Sequence, residues 1–185
     1  YPLMINAANR VREFYKDKEC FCDYPINSFE TIKAQDLTFS YSDKTVLKHL
    51  NFSISQGEKI TISGENGHGK STLVKIICSL IKNYQGTILI NGVDFKKVNI
   101  NDWRKHIAYA PQIPFLFQTT VIDNITIANP TIDPAIVQSF MNDFGILQLA
   151  NRMVDSSLNL SGGEKQKISI IRALIKESEI LILDE

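Results

Sequence analysis

The chain has 185 residues, of which 44% are hydrophobic and 22% are charged, a balance typical of one soluble domain that buries a sizeable core. Its 20 lysine and arginine residues equal its 20 aspartate and glutamate residues in number, so no net charge attracts it to nucleic acid or anionic lipid. The longest apolar stretch, around Leu73 to Ile81, is interrupted by Lys75 and Ser79. It is shorter than the roughly 18 residues of a membrane-spanning helix, which argues against a chain that crosses a membrane.

The start of the chain predicts a short amphipathic helix from Ala7 to Lys18. Val11, Phe14 and Tyr15 lie there at helical spacing among charged residues. The next segment, Glu19 to Asn27, has no clear period and is predicted to be a linker.

The cysteines are Cys20, Cys22 and Cys78. An odd number without regular spacing predicts free thiols in a reducing compartment. Cys20 and Cys22 have the spacing of half a metal site, but no second Cys or His pair lies nearby in the sequence, so we do not expect a metal cluster.

From Thr31 the hydrophobic period changes to two, which predicts two strands joined across Ser42-Asp43-Lys44. A turn at Gln56-Gly57 then leads into a further predicted strand, Ile60 to Ser63. Tyr41 has two interpretations at this point. It is either a strand residue that fills the core or an aromatic platform for a purine base, a stacking contact that contributes roughly 1–3 kcal/mol.

A glycine-rich loop follows directly, and the rest of the chain is organised around it. Gly64, four residues and then Gly69-Lys70-Ser71 match the P-loop pattern between a strand and a helix. Glycines let the backbone amides approach and surround a phosphate, whereas a loop that only joins strand to helix has no need of the Lys-Ser pair. In this pattern Lys70 binds the phosphates and the Ser71 hydroxyl binds Mg²⁺. The predicted phosphate site comprises Gly64, Glu65, Asn66, Gly67, His68, Gly69, Lys70, Ser71 and Thr72.

The elements after the loop alternate between helix and strand. The predicted order is a buried helix from Leu73 to Leu80, a strand from Thr87 to Ile90 with a tight turn at Asn91-Gly92, a helix capped by Asn101-Asp102, and a strand from Ile107 to Ala110. Gln112 follows this last strand. Ligands of open α/β sheets bind at the carboxyl ends of strands, so its amide is a candidate ligand of Mg²⁺ or water.

The pattern is helical from about Thr119 to Lys176, which predicts a small helical lobe inserted into the α/β core. Asp133-Pro134 begins one of its helices, which runs to Phe144. A second glycine turn, Leu160-Ser161-Gly162-Gly163-Glu164, begins the last helix. Ser161 and Glu164 have capping-box spacing, but the paired glycines also suit a second anion site.

The chain then forms a continuous apolar run, Ile180 to Leu183, followed by Asp184 and Glu185. Such a run predicts a strand buried on both faces. Paired acids at the tip of a buried strand have no packing purpose, because unpaired buried charge destabilises a fold. Asp184 is therefore predicted to bind the hydrated Mg²⁺, and Glu185 to orient or deprotonate an attacking water.

Three of these segments resemble the motifs of ATP-binding-cassette (ABC) ATPases. Gly64 to Thr72 resembles Walker A, Ile180 to Asp184 resembles Walker B, and Leu160 to Glu164 resembles the signature sequence. The resemblance covers roughly Thr31 to Glu185 and implies bound ATP and Mg²⁺. It also implies a P-loop NTPase α/β core with an antiparallel β subdomain and an inserted α-helical subdomain.

The same resemblance implies roles for residues outside these motifs. Tyr41 matches the aromatic A-loop, which favours the platform interpretation, and Val46 is placed in the nucleotide site beside it. Gln112 matches the Q-loop glutamine and Glu185 the catalytic glutamate. Two copies or paralogues would pair head to tail, so that Ser161-Gly162-Gly163 of one contacts the ATP held by the P-loop of the other.

The segments Trp103 to Gln112, Leu116-Phe117 and Thr120 to Ile125 are similar to the exporter branch of the family, in which a transmembrane domain is fused upstream. The resemblance then implies an extension and linker over residues 1–27, an ATPase domain over residues 28–185, and a location at the cytoplasmic face of the cell membrane. The family's D-loop and switch histidine follow the position of Glu185. These residues alone are therefore expected to hydrolyse ATP poorly.

Two alternatives remain from the sequence. ABC-type ATPases of DNA repair and chromosome structure share the signature, but they insert long coiled coils where this chain has a compact lobe, and the balanced charge predicts no nucleic-acid partner. A non-catalytic nucleotide-binding module is the other alternative.

Overall fold

The computed structural model describes residues 24–65, 67–155 and 160–184. Several sequence predictions lie outside these residues: the helix from Ala7 to Lys18, the pair Cys20 and Cys22, the loop residue Asn66, and Glu185. Within the described ranges, no helix combines the length and apolar composition that a membrane span requires.

An antiparallel sheet forms one layer of the fold. Its strands are β1 (Thr31–Tyr41), β2 (Lys44–Ser55), β3 (Gln85–Ile90) and β4 (Val93–Asp94), in the spatial order β2-β1-β3-β4. The predicted turn between β3 and β4 is confirmed, because Asn91 and Gly92 both have positive φ, 50° and 81°, as a tight hairpin turn requires. The antiparallel β subdomain is therefore confirmed.

Helix α1 (Lys70–Ile77) packs against this sheet and buries Leu73, Val74 and Ile76. Helix α2 (Ile100–Lys105) adds Trp103, which is fully buried and whose Nε1 donates a hydrogen bond of 2.8 Å to the carbonyl oxygen of Ile77. This bond satisfies the one polar atom of the indole. The predicted cap of α2 was wrong by two residues: Asn99 is the cap, and its side chain accepts from the amides of residues 101 and 102.

Strands β5 (Ile107–Ala110) and β6 (Ile180–Leu183) form a separate parallel pair. The prediction that β6 is buried on both faces was wrong, because Leu181 and Leu183 are 44% and 55% exposed. Among the described residues β6 pairs with β5 alone. A strand paired along one edge leaves its other edge open to solvent, and the neighbouring side chains stay exposed with it.

The predicted strand Ile60 to Ser63 was also wrong. These residues have no assigned strand, and Ile60 and Ile62 are 49% and 44% exposed. A cavity of about 390 Å³ separates them from β6. A strand is defined by hydrogen bonds to a neighbour, and no described segment supplies a ladder to these residues.

The helical lobe has its own core. It contains α3 (Val121–Thr126), α4 (Pro134–Asp143) and α5 (Gly162–Leu174). Asp133 caps α4, with its side chain accepting from the amide of Ala135 at 2.8 Å, as its Asp-Pro start predicted. The inserted helical subdomain is therefore confirmed.

Arg172 on α5 connects this lobe to the segment that follows Gln112. Its guanidinium donates to the carbonyl oxygens of Asn124 and Phe115, at 2.7 and 2.9 Å, and to the side chain of Asn124 at 3.0 Å. Burial lowers the pKa of Arg172. The bond to Phe115 holds that segment against the helix that begins at the signature sequence, and the two bonds to Asn124 connect the same helix to α3.

Residues 24–29 pack onto the α/β part of the chain, which the sequence did not indicate. Ile26 is buried, and its carbonyl oxygen lies 2.9 Å from Nε2 of His106. Nδ1 of the same ring lies 3.3 Å from the carboxylate of Glu179, which also accepts from the amide of Phe29. The end of the predicted linker is thus attached to Glu179, the residue directly before β6.

Two glycines test how closely the sheet is packed. Gly86 and Gly92 have similar φ, 87° and 81°, but a Cβ on Gly86 would lie 2.3 Å from the carbonyl oxygen of Asp36, whereas one on Gly92 meets nothing within 4 Å. Both alanine variants strain the backbone by roughly 1–2 kcal/mol. We expect Gly86→Ala to lower the free energy of unfolding by about 1–3 kcal/mol more than Gly92→Ala, measured by urea denaturation. Equal losses would contradict the observed packing.

Candidate nucleotide-binding site

The glycine-rich loop takes its shape from backbone conformations that favour glycine. Gly67 and Gly69 have φ of 85° and 88°, and Gly69 is the N-cap of α1. A Cβ on Gly69 would lie 2.7 Å from Cδ2 of Leu47 and 2.8 Å from Cγ1 of Val46. Strand β2 therefore presses directly on the loop, and only glycine fits at this position.

Lys70 lies across the loop. Its Nζ donates to the carbonyl oxygens of Gly64 and Glu65, at 2.6 and 3.1 Å. The ammonium group is therefore held by the backbone of the loop, close to the start of α1. Positive charge and free helix-terminal amides together make a site for an anion.

Asp184, which follows the end of β6, contacts the first turn of α1 beside the loop. The Ser71 hydroxyl donates to its Oδ1 at 3.2 Å, although the two residues are 113 positions apart in sequence. The amide of Asp184 donates to the carbonyl oxygen of Ala110 at 3.0 Å, which extends the β5–β6 ladder by one bond. The predicted partners for Mg²⁺, Ser71 and Asp184, are thus brought together.

Tyr109 on β5 is a further residue at this carboxylate. Its hydroxyl donates to Oδ2 of Asp184 at 3.1 Å. Burial, with the nearby negative charge of Asp184, raises the pKa of Tyr109 to about 12. The phenol therefore stays protonated, and available as a donor, throughout the physiological pH range.

A cleft of about 370 Å³ runs along the loop. It brings three separate sequence predictions, Tyr41, Val46 and Gln112, to one place. The full lining is Tyr41, Lys44, Val46, Gly67, Gly69, Lys70, Ser71, Thr72 and Gln112.

Tyr41 does not fill the core, because it is 47% exposed. The edge of one ring meets the face of the other where Tyr41 packs on Phe39, with centroids 4.8 Å apart and planes at 88°. A half-exposed ring at the end of the cleft suits stacking on a base better than packing in a core.

The donors present fit Mg²⁺. The Ser71 hydroxyl and the Asp184 carboxylate are hard oxygen ligands, and Mg²⁺ in nucleotide sites uses one or two such groups together with phosphate oxygens and water. Among residues 24–65, 67–155 and 160–184, no group of three or more His, Cys, Asp or Glu side chains forms a self-contained metal cage.

The signature segment lies apart from this cleft. Ser161 caps α5, accepting from the amide of Glu164 at 3.2 Å, while the Glu164 carboxylate accepts from the amide of Ser161 at 2.7 Å. The predicted capping box is confirmed. The bond from the Ser161 amide, reinforced by its side chain, lowers the pKa of Glu164.

Packing against the residues that the structure describes gives no reason for Gly162 and Gly163 to be glycine. A Cβ on either would meet nothing within 4 Å, and both residues are exposed. The cleft beside the P-loop is lined without them. Both residues lie in the first turn of α5, where the amides of a helix have no partner within the helix itself.

Sequence reasoning missed Tyr109 and Lys44 as residues of the site. The available signal for Tyr109 was its place on the strand that pairs with the Walker B segment. Tyr109 lies opposite Ile182 in a parallel pair, so Tyr109 and Asp184 share one face of the sheet. Choosing that pairing required knowing which strands are neighbours.

Comparison with known proteins agrees with this geometry. A family model described as ABC transporter matches residues 47–185. The chain is 38% identical over 158 residues to the probable iron export ATP-binding protein FetA of Escherichia coli K12, a match that covers 83% of this chain and 69% of FetA. It is 40% identical over 161 residues to the multidrug resistance-like ATP-binding protein MdlA of Buchnera aphidicola, covering 83% of this chain and 28% of MdlA.

A solved structure gives the same result. The fold resembles that of a bacterial Atm1-family ABC exporter with ATP bound, with a TM-score of 0.79 and 29% sequence identity. The match covers 88% of this chain and 30% of the exporter chain. This chain thus corresponds to less than a third of MdlA and of that exporter, and to about two thirds of FetA.

The cap at Ser161 makes a measurable contribution to stability. Ser161→Ala removes the acceptor for the Glu164 amide, and we expect a loss of about 1 kcal/mol in the free energy of unfolding. Ser161→Asp supplies another good cap and should retain most of the stability. Urea denaturation of the three proteins checks this. An alanine variant as stable as the aspartate variant would show that the cap contributes nothing.

Proposed function

Because the chain belongs to the ABC transporter family, we propose that it binds ATP with Mg²⁺ in the described cleft, hydrolyses it, and thereby drives export through a transmembrane domain. The observation that carries this proposal is the meeting of Ser71 with Asp184, 3.2 Å apart, beside Lys70. This brings a phosphate-binding loop, a cation and a carboxylate into one site.

The residues of the cleft have separate roles in this proposal. The amides of the loop and the start of α1 hold the phosphates, and Lys70 turns from its bonds to Gly64 and Glu65 towards them. Tyr41 stacks on the adenine, and Val46 packs beside it. When bound, Mg²⁺ neutralises developing phosphate charge and is held by Ser71 and Asp184.

Gln112 and Glu185 complete the proposed chemistry. Gln112 lines the cleft shortly after the end of β5, and its amide is proposed to bind the metal and the attacking water. Glu185, next to Asp184, is proposed to orient or deprotonate that water. Their proposed roles differ from that of Lys70. Gln112 and Glu185 act on the reacting water and the metal, whereas Lys70 binds the phosphates of ATP before the reaction.

The second half of each site is proposed to come from another ATPase domain. Ser161, Gly162 and Gly163 are exposed, and a Cβ on either glycine would meet no described atom within 4 Å. A helix N-terminus with bare amides suits a phosphate group. Head-to-tail pairing with a copy or paralogue would cover the ATP held in the partner's cleft.

The transmembrane partner is proposed to dock on an apolar surface near the junction of the two parts of the domain. Five large apolar residues there are 44% to 84% exposed, and several lie in the segment that Arg172 ties to α5. They are Leu80, Ile113, Phe115, Phe117 and Ile127. The similarity to a solved exporter supports a partner fused upstream and a location at the cytoplasmic face of the membrane.

Removing the lysine charge tests nucleotide binding. We expect Lys70→Ala to weaken ATP binding by about 10- to 150-fold, since a charge-assisted hydrogen bond contributes roughly 1.5–3 kcal/mol. Isothermal titration of the full protein with ATP and Mg²⁺ measures this. Lys75→Ala, an exposed lysine on the same helix outside the cleft, removes the same charge and should bind normally. If Lys70→Ala matches Lys75→Ala, the proposed site is wrong.

Ser161→Asp tests the pairing of two domains. It keeps the helix cap but places a carboxylate where the partner's phosphates would lie, so like charges repel. In a Glu185→Gln background, which should preserve the ATP-bound state, we expect ATP to produce dimers of the ATPase domains with Ser161 and none with Ser161→Asp. Light scattering of the ATPase domain or cross-linking of the full protein reports this. Dimers of equal affinity would contradict the proposed role of the signature.

A further inference from the structure

We infer that Tyr109 is a positioning residue of the ATPase site, which orients the Asp184 carboxylate so that one oxygen faces Ser71. The inference rests on the proposed metal-binding role of Asp184. Its basis is a pair of hydrogen bonds: Oδ2 accepts from the Tyr109 hydroxyl at 3.1 Å, and Oδ1 accepts from the Ser71 hydroxyl at 3.2 Å. Each carboxylate oxygen thus has its own donor.

The backbone alone does not fix this orientation. The bond from the Asp184 amide to the Ala110 carbonyl oxygen, 3.0 Å long, holds the main chain at the end of β6. The terminal torsion of an aspartate side chain remains broad and roughly two-fold. A donor at Oδ2 removes that freedom, and Oδ1 is left facing the loop.

The register of the strands explains why tyrosine fits this task. Tyr109 pairs with Ile182, and Asp184 lies two residues further along on the same face. The Tyr109 side chain must therefore reach along the sheet by about two residues, or roughly 6.6 Å. Phenylalanine fills the same volume but carries no donor at its tip. Tyr109→Phe thus removes the interaction with little change in packing.

Metal affinity is the direct test. The full protein is loaded with a non-hydrolysable ATP analogue and titrated with Mn²⁺, whose free and bound forms are distinguished by electron paramagnetic resonance. We expect Tyr109→Phe to weaken Mn²⁺ binding by about 3- to 10-fold. Affinity for the analogue in metal-free buffer should be unchanged, and this measurement also gives the fraction of folded protein.

Tyr84→Phe is the matched control. Tyr84 is buried, whereas Tyr109 is partly buried, and its pKa is likewise raised to about 12 by burial, with the charge of Asp94 adding to it. It lies outside the cleft. Loss of its hydroxyl should leave Mn²⁺ affinity unchanged, which separates an effect on Asp184 from the general removal of a buried hydroxyl.

Asp184→Asn separates the proposed metal-binding role of Asp184 from the inferred positioning role of Tyr109. If it weakens Mn²⁺ binding and Tyr109→Phe does so by less, with no further loss in the double variant, the positioning role is supported. If Asp184→Asn weakens binding but Tyr109→Phe changes only the melting temperature, Tyr109 is merely structural and the inference is wrong. If Asp184→Asn itself leaves Mn²⁺ affinity unchanged, the proposed metal site fails, and the inference fails with it.

Discussion

The contact between Ser71 and Asp184 is the constraint on which the site depends. It requires α1 to begin at Lys70 and β6 to end at Leu183, and it requires the sheet and the parallel pair to hold those two ends 3.2 Å apart at their side chains. Each condition is met by a different part of the chain. A shift of one residue in the pairing of β5 with β6 would turn Asp184 to the other face, because strand side chains alternate.

The antiparallel sheet contributes more than a core. Val46 and Leu47 on β2 lie against Gly69, so the position of the loop is set by the sheet as well as by its own glycines. The same strand supplies Val46 and Lys44 to the cleft, and Tyr41 precedes it by one turn. One hairpin thus connects the two ends of the cleft, the end proposed for the base and the end proposed for the phosphates. This connection limits how far either end moves alone.

Most features that depend on neighbouring residues were predictable from the sequence, although the cap of α2 was misplaced by two residues. The caps at Asp133 and Ser161 follow from local side-chain chemistry, and the hairpin turn at Asn91-Gly92 follows from backbone conformation. The meeting of Ser71 with Asp184 was predicted as well, but the pairing of individual strands with distant partners was not. The segment Ile60 to Ser63 alternates like a strand, but no described segment pairs with it, and Leu183 is exposed for the same reason.

Gly162 and Gly163, the pair after Ser161, bear on whether the start of α5 contacts a group outside the chain. Glycine in a helix interior destabilises it by roughly 1 kcal/mol relative to alanine. Helix α5 begins with two glycines, and packing against the described residues demands neither. The loop glycine Gly69 is demanded by its neighbours, whereas Gly162 and Gly163 are not. Glycines that the described neighbours do not demand are consistent with the proposed nucleotide site shared between two domains, in which a phosphate approaches the amides at the start of α5.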